Sequence, residues 1–207
     1  MRRLGGFVAA LACLALVAGA CSKGGSKGAA GRATPTTEVP VAIAFSVTSF
    51  DVEAAADPVA GAAGAAQDGI LATLSRWLDE AVVRPLRSGQ PAGDIGPFFT
   101  TPTRERVATT PDRAAFVDEG IPPVSGVRPG TASLAMVALA DPDGNIPVVA
   151  VHFDLTLGGM VEGTPLGVEH TGDLSMIQEG GAWLIDGYDV RSTRATEGAT
   201  TTTTAAG

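Results

Sequence analysis

The chain has 207 residues, with 22 acidic against 14 basic side chains and a formal net charge of −8. That length suits one domain with a sizeable core plus tails, and the acidity argues against nucleic acid as a partner. With two His and two Cys, and without a P-loop, a Gly-rich dinucleotide turn or a nucleophile motif, the sequence assigns no cofactor, no metal and no catalytic residue.

Arg2 and Arg3 precede an apolar run over residues 4–18, and Gly19 and Ala20 are small, which predicts a secretory signal peptide over residues 1–20. The run is too short for a bilayer span, which takes about 20 apolar residues. Cys13 leaves with the signal, so Cys21 has no partner for an internal disulfide. Residues 21–38 are rich in Gly, Ser, Ala, Pro and Thr and read as a flexible tether. Lys23 and Lys27, the only lysines of the chain, lie within it.

The stretch "VAGACS" resembles the lipobox of bacterial lipoproteins, from which it departs at Ala18, where Leu or another branched apolar residue is usual. The resemblance implies cleavage before Cys21 and diacylation of its thiol, with the outer face of the cytoplasmic membrane as the location. Two acyl chains, palmitate among the usual ones, would hold the protein there durably where one would not.

The folded part is predicted over residues 39–192. "VPVAIAFSVTSFDV", residues 39–52, alternates with period two and reads as a strand with one buried face. From Gln67, the apolar residues Ile70, Leu71, Leu74, Trp77, Leu78 and Val82 recur at spacings of three and four, an amphipathic helix over residues 67–86 closed by Pro85 and Gly89. Two short helices are expected over residues 101–108 and 111–118, the second with Thr110 as N-cap and Gly120 as its stop. Phe98, Phe99 and Phe116 supply their apolar face.

The Pro-rich "GIPPVSGVRPG" reads as a loop. Strands follow over residues 132–140, 146–157, 166–177 and 183–190, an antiparallel meander. The final "ATEGATTTTTAAG" has no large apolar residue, and residues 193–207 are expected to form a disordered Thr-rich tail.

The fold class is therefore α+β, a curved antiparallel sheet wrapped on one long helix. That order and "GGAWLIDGYDV" resemble the nuclear-transport-factor-2-like and cystatin-like cones, and also the exported lipoproteins of high-GC bacteria. The cone hosts isomerases, dehydratases, scaffolds and binding modules, so it does not choose among functions.

Three places carry titratable candidates. "DPDGN" at residues 141–145 imitates a calcium loop but lacks its later ligands, and a hairpin turn around Gly144 accounts for it. His152 and Asp154 alternate outward on their strand, where they can pair with each other. His170 alternates inward with Leu166, Val168, Leu174 and Met176 and is the candidate cavity residue. No second inward ionisable group is identifiable.

The reading that follows is a membrane-anchored, non-catalytic binding or scaffold domain at the cell envelope, its partner an envelope protein or an apolar ligand. The alternative is a small isomerase or dehydratase acting on an apolar substrate at His170.

Overall fold

The structure is a computed structural model that describes residues 42–54, 57–109 and 111–207. Cys21, the signal, the tether, the start of the first expected strand and Thr110 lie outside the described residues. The domain is α+β: one six-stranded, mostly antiparallel open sheet, ordered β1-β2-β3-β4-β5-β6, with one long helical run and shorter helices against one of its faces. No helix among the described residues is long and apolar enough to cross a membrane.

The first strand, β1, spans Ser46–Ala54 and pairs in parallel with β2, Val124–Ala140. Its pairing slips between Val47 and Ser49. The slip has a cause in the sequence: the apolar series Ile43, Phe45, Val47 becomes Phe50, Val52, so one extra residue is needed to keep both sets facing the core. Thr48, at the slip, donates its hydroxyl to Leu134 O at 2.9 Å.

The expected long helix extends further than its stripe. Helix α1, Ala62–Trp77, runs through a π-helical turn, Leu78–Val83, into α2, Arg84–Ser88. Of the predicted stripe, Ile70, Leu74, Trp77, Leu78 and Val82 are buried and Leu71 is half-buried; Leu86, one turn further on, is buried too. The π turn lies just before Pro85, which has no N–H for the carbonyl of Ala81 four residues back. That carbonyl instead accepts the N–H of Asp118 at 3.1 Å. Gly69 in α1 lets the helix approach the sheet: a Cβ there would lie 2.5 Å from Trp183 Cδ1.

A 3-10 turn at Gly96–Phe98 leads into α3, Thr101–Val107, and α4, Asp112–Phe116. Both short helices lie where the sequence places them, and Phe98, Phe99 and Phe116 are core residues. The meander follows as β2, β3 (Val148–Val161), β4 (Thr164–Glu179) and β5 (Ala182–Thr196), each pair antiparallel. The turns at Glu162-Gly163 and Gly180-Gly181 have positive φ at both positions, the mirror-image turn that matches strand twist.

Two expectations need correction. The Pro-rich passage is not all loop, because β2 already begins at Val124 and takes in Gly126, Pro129 and Gly130 through irregular pairing at Ser125/Arg128 and Pro129/Thr131. Nor is the Thr-rich end a disordered tail. β5 continues to Thr196, and residues Ala199–Ala206 form the edge strand β6 along it. Thr is β-branched and suits a strand, and an edge strand can be held by backbone pairing with little apolar burial, here Ala205. The absence of large apolar residues is therefore compatible with order.

Candidate functional site

Period two carries His170 inward on β4 as expected, in line with the buried Leu166, Val168, Leu174 and Met176. Its side chain has no exposed surface, so not even a cavity of water size borders it. Trp77 meets the ring edge to face at a centroid distance of 6.1 Å, and Trp77 also packs on Phe45, Phe116 and Phe153.

The sequence names no second inward ionisable group, and the structure supplies one. Asp118, also unexposed, places Oδ2 at 2.5 Å from His170 Nε2. Its other oxygen, Oδ1, accepts from Arg194 Nε at 2.6 Å. His170 Nδ1 lies 3.1 Å from Ala115 O, and a carbonyl can only accept. Both ring nitrogens therefore face acceptors, and the ring donates on both sides.

These contacts belong to a larger pattern. A helix leaves its last carbonyls without partners, and α4 with the residues after it recruits side chains for them. Ala115 O takes His170, Phe116 O takes Trp77 Nε1 at 3.1 Å, and Val117 O and Glu119 O take the Arg194 Nη2 and Nη1 groups at 3.0 Å each. Asp118 gives its N–H to Ala81 O. Among the described residues no buried side-chain nitrogen or oxygen lacks a partner. Burial disfavours the charge of Asp118, but the charge and hydrogen bond of His170, followed by those of Arg194, outweigh it and hold the carboxyl below its ordinary range.

Such a site has no free acceptor on His170 to take a substrate proton, and no path to one. Acid–base catalysis requires a positioned group within reach of substrate, so the arrangement works as a clamp on residues 115–119. His170 and Asp118 are brought together from β4 and from the segment after α4. Arg194 was legible in principle, since the alternation of β5 through Val190 and Ser192 extends to it. Asp118, read from the sequence as the last residue of a short helix that in the structure ends at Phe116, offers no such signal.

The other candidates are surface features. His152 Nδ1 lies 2.9 Å from Asp173 Oδ1, and its Nε2 is 3.5 Å from Asp154 Oδ2. The hydrogen bond that the ring donates to Asp173, against a smaller opposing effect of desolvation and with the charges of Asp173 and Asp154 adding, raises the His152 pKa above its ordinary 6.5. Asp141 in the "DPDGN" turn accepts the N–H groups of Asp143 and Asn145 at 2.9 and 2.8 Å. Gly144 has φ 80° there, as a hairpin turn requires. Among the described residues no group of His, Cys, Asp and Glu side chains is placed to hold a metal.

The chain matches no protein-family model, no curated protein and no solved structure.

Proposed function

We propose that the chain is an exported lipoprotein, anchored through acyl chains on Cys21 to the outer face of the cytoplasmic membrane. Its domain, which we read as a nuclear-transport-factor-2-like or cystatin-like cone, serves as a non-catalytic binding or scaffold module for an envelope protein or an apolar ligand. The small residues before Cys21 and the polar stretch after it support the anchor, and the order of strand, long helix and meander supports the cone. The observation that carries the non-catalytic reading is the engagement of both His170 ring nitrogens within a fully buried cluster.

The test is the mass of the mature protein extracted from membranes. A chain beginning at Cys21 and carrying a diacylglyceryl group is the expected result, and Cys21→Ala should leave the membrane fraction or stay uncut. An unmodified thiol at Cys21 would overturn the anchor. A substrate turned over by the wild type and not by His170→Gln of equal stability would overturn the non-catalytic reading in favour of an isomerase or dehydratase.

A further inference from the structure

Next to the clamp, between the α4 segment and the β5–β6 edge of the sheet, is a cleft of about 190 Å³ lined by Arg113, Glu119, Ser192, Arg194, Thr201 and Thr203, with Ala114 and Val117. Ser192 and Arg194 pair with Thr203 and Thr201 across the strands, so the four polar side chains stand side by side on the face that also carries His170.

Three features of the cleft point to an anion. The first is charge: Arg113 pairs with Glu119 and Arg194 with Asp118, while His170 and Asp118 behind them offset each other, so one positive charge is in excess. The chain as a whole carries −8. The second is spare donors. Arg194 spends one N–H from each of its three nitrogens on the clamp, which leaves one on each Nη, and every hydrogen bond of Arg113 among the described residues uses Nη2. The third is a row of hydroxyls: Ser192 lines the cleft with Thr201 and Thr203, and its own hydroxyl, open to the cleft, has no hydrogen-bond partner among the described residues.

We infer that this cleft binds the phosphoryl group of a small ligand or lipid headgroup, held by the two guanidinium groups and the hydroxyls of Ser192, Thr201 and Thr203. Guanidinium groups match the oxygens of a phosphate in charge and geometry, and three hydroxyls serve its remaining lone pairs. The volume admits little more than the anionic group itself, since pockets for whole drug-sized ligands begin at about 300 Å³. The inference goes beyond the function proposed above and does not depend on the anchor at Cys21.

The experiment is an amide NMR titration of the full chain in non-ionic detergent with inorganic phosphate at constant ionic strength, repeated with phosphatidylglycerol nanodiscs on Cys21→Ala. Saturable shifts centred on residues 113–119, 192–194 and 201–203 are expected. Saturation by phosphate identifies a free ligand as the source, and response to nanodiscs alone identifies a headgroup. Thr201→Val and Thr203→Val, neither of which touches the His170 clamp, and Arg113→Gln, which also gives up the ion pair to Glu119 and the bonds to Ala92 O and Gly93 O, should each weaken the response about tenfold, while an unchanged ligand-free Tm of the two threonine variants shows that the fold persists. Absence of a saturable response to both probes, or equal binding by all three variants, would overturn the inference.

Discussion

Pro85 and Asp118 are linked through a single carbonyl: the proline cannot bond to Ala81 O, and Asp118 N–H takes that oxygen at 3.1 Å. An imperfection in the long helix thus becomes the attachment point for the residue that holds His170 and Arg194. Pro85→Ala supplies the missing N–H and sets the helix in competition with Asp118 for the same acceptor. Hydrogen exchange of the Asp118 amide should then become faster while the amides around residue 85 gain protection. Unchanged exchange at Asp118 would mean that the π turn has another cause.

The lowered pKa of Asp118 determines how the fold responds to acid. A carboxyl with a depressed native pKa stabilises the fold at pH above its unfolded value of about 3.9, and that contribution is lost as pH falls through the native value. Stability should therefore decline on acidification below about pH 4, and Asp118→Asn should flatten that limb of the profile. The same substitution leaves His170 and Arg194 without their counter-charge, and removing one partner of a buried pair costs about 3–5 kcal/mol. Chemical denaturation at several pH values measures both effects.

Trp77 joins the helix to the clamp, through its rings against Phe45, Phe116, Phe153 and His170 and its Nε1–H on Phe116 O. Trp77→Ala should cost about 3–5 kcal/mol, a large part of the stability of a domain. Trp77→Phe keeps much of the packing and orphans the Phe116 carbonyl, for a cost of about 1–3 kcal/mol. Equal losses for the two variants in urea unfolding would contradict a role for the indole N–H.

His152 serves as the exposed counterpart of His170. Its pKa is raised chiefly by the hydrogen bond to Asp173, so Asp173→Asn should bring its NMR titration midpoint down toward 6.5. The linked stability is present below the unfolded pKa and lost as pH rises through the native one. With the ring half exposed, water screens the pair and the effect on stability should be small.

The elements whose period is carried by large apolar residues were legible in the sequence: the stripe of Ile70, Leu74 and Trp77, the alternation of Val149, Val151, Phe153 and Leu155, and the inward position of His170. The elements held by backbone pairing were not. Thr200 to Thr204 differ little in polarity from a disordered tail, and what orders them is the free edge of β5, which no local pattern reports. The candidate site divides in the same way. Alternation places His170, whereas its partner Asp118 arrives by a loop that ends α4 and meets β4 only in the folded chain.

Whether His170 donates on both sides within a closed clamp is read from nitrogen-15 NMR of the histidine rings. Two ring N–H resonances are expected for His170, both protected from exchange with water, with loss of the protection on Asp118→Asn. A single ring N–H, or a His170 ring whose hydrogens exchange as freely as those of His152, would show an open and available imidazole and contradict the closed clamp.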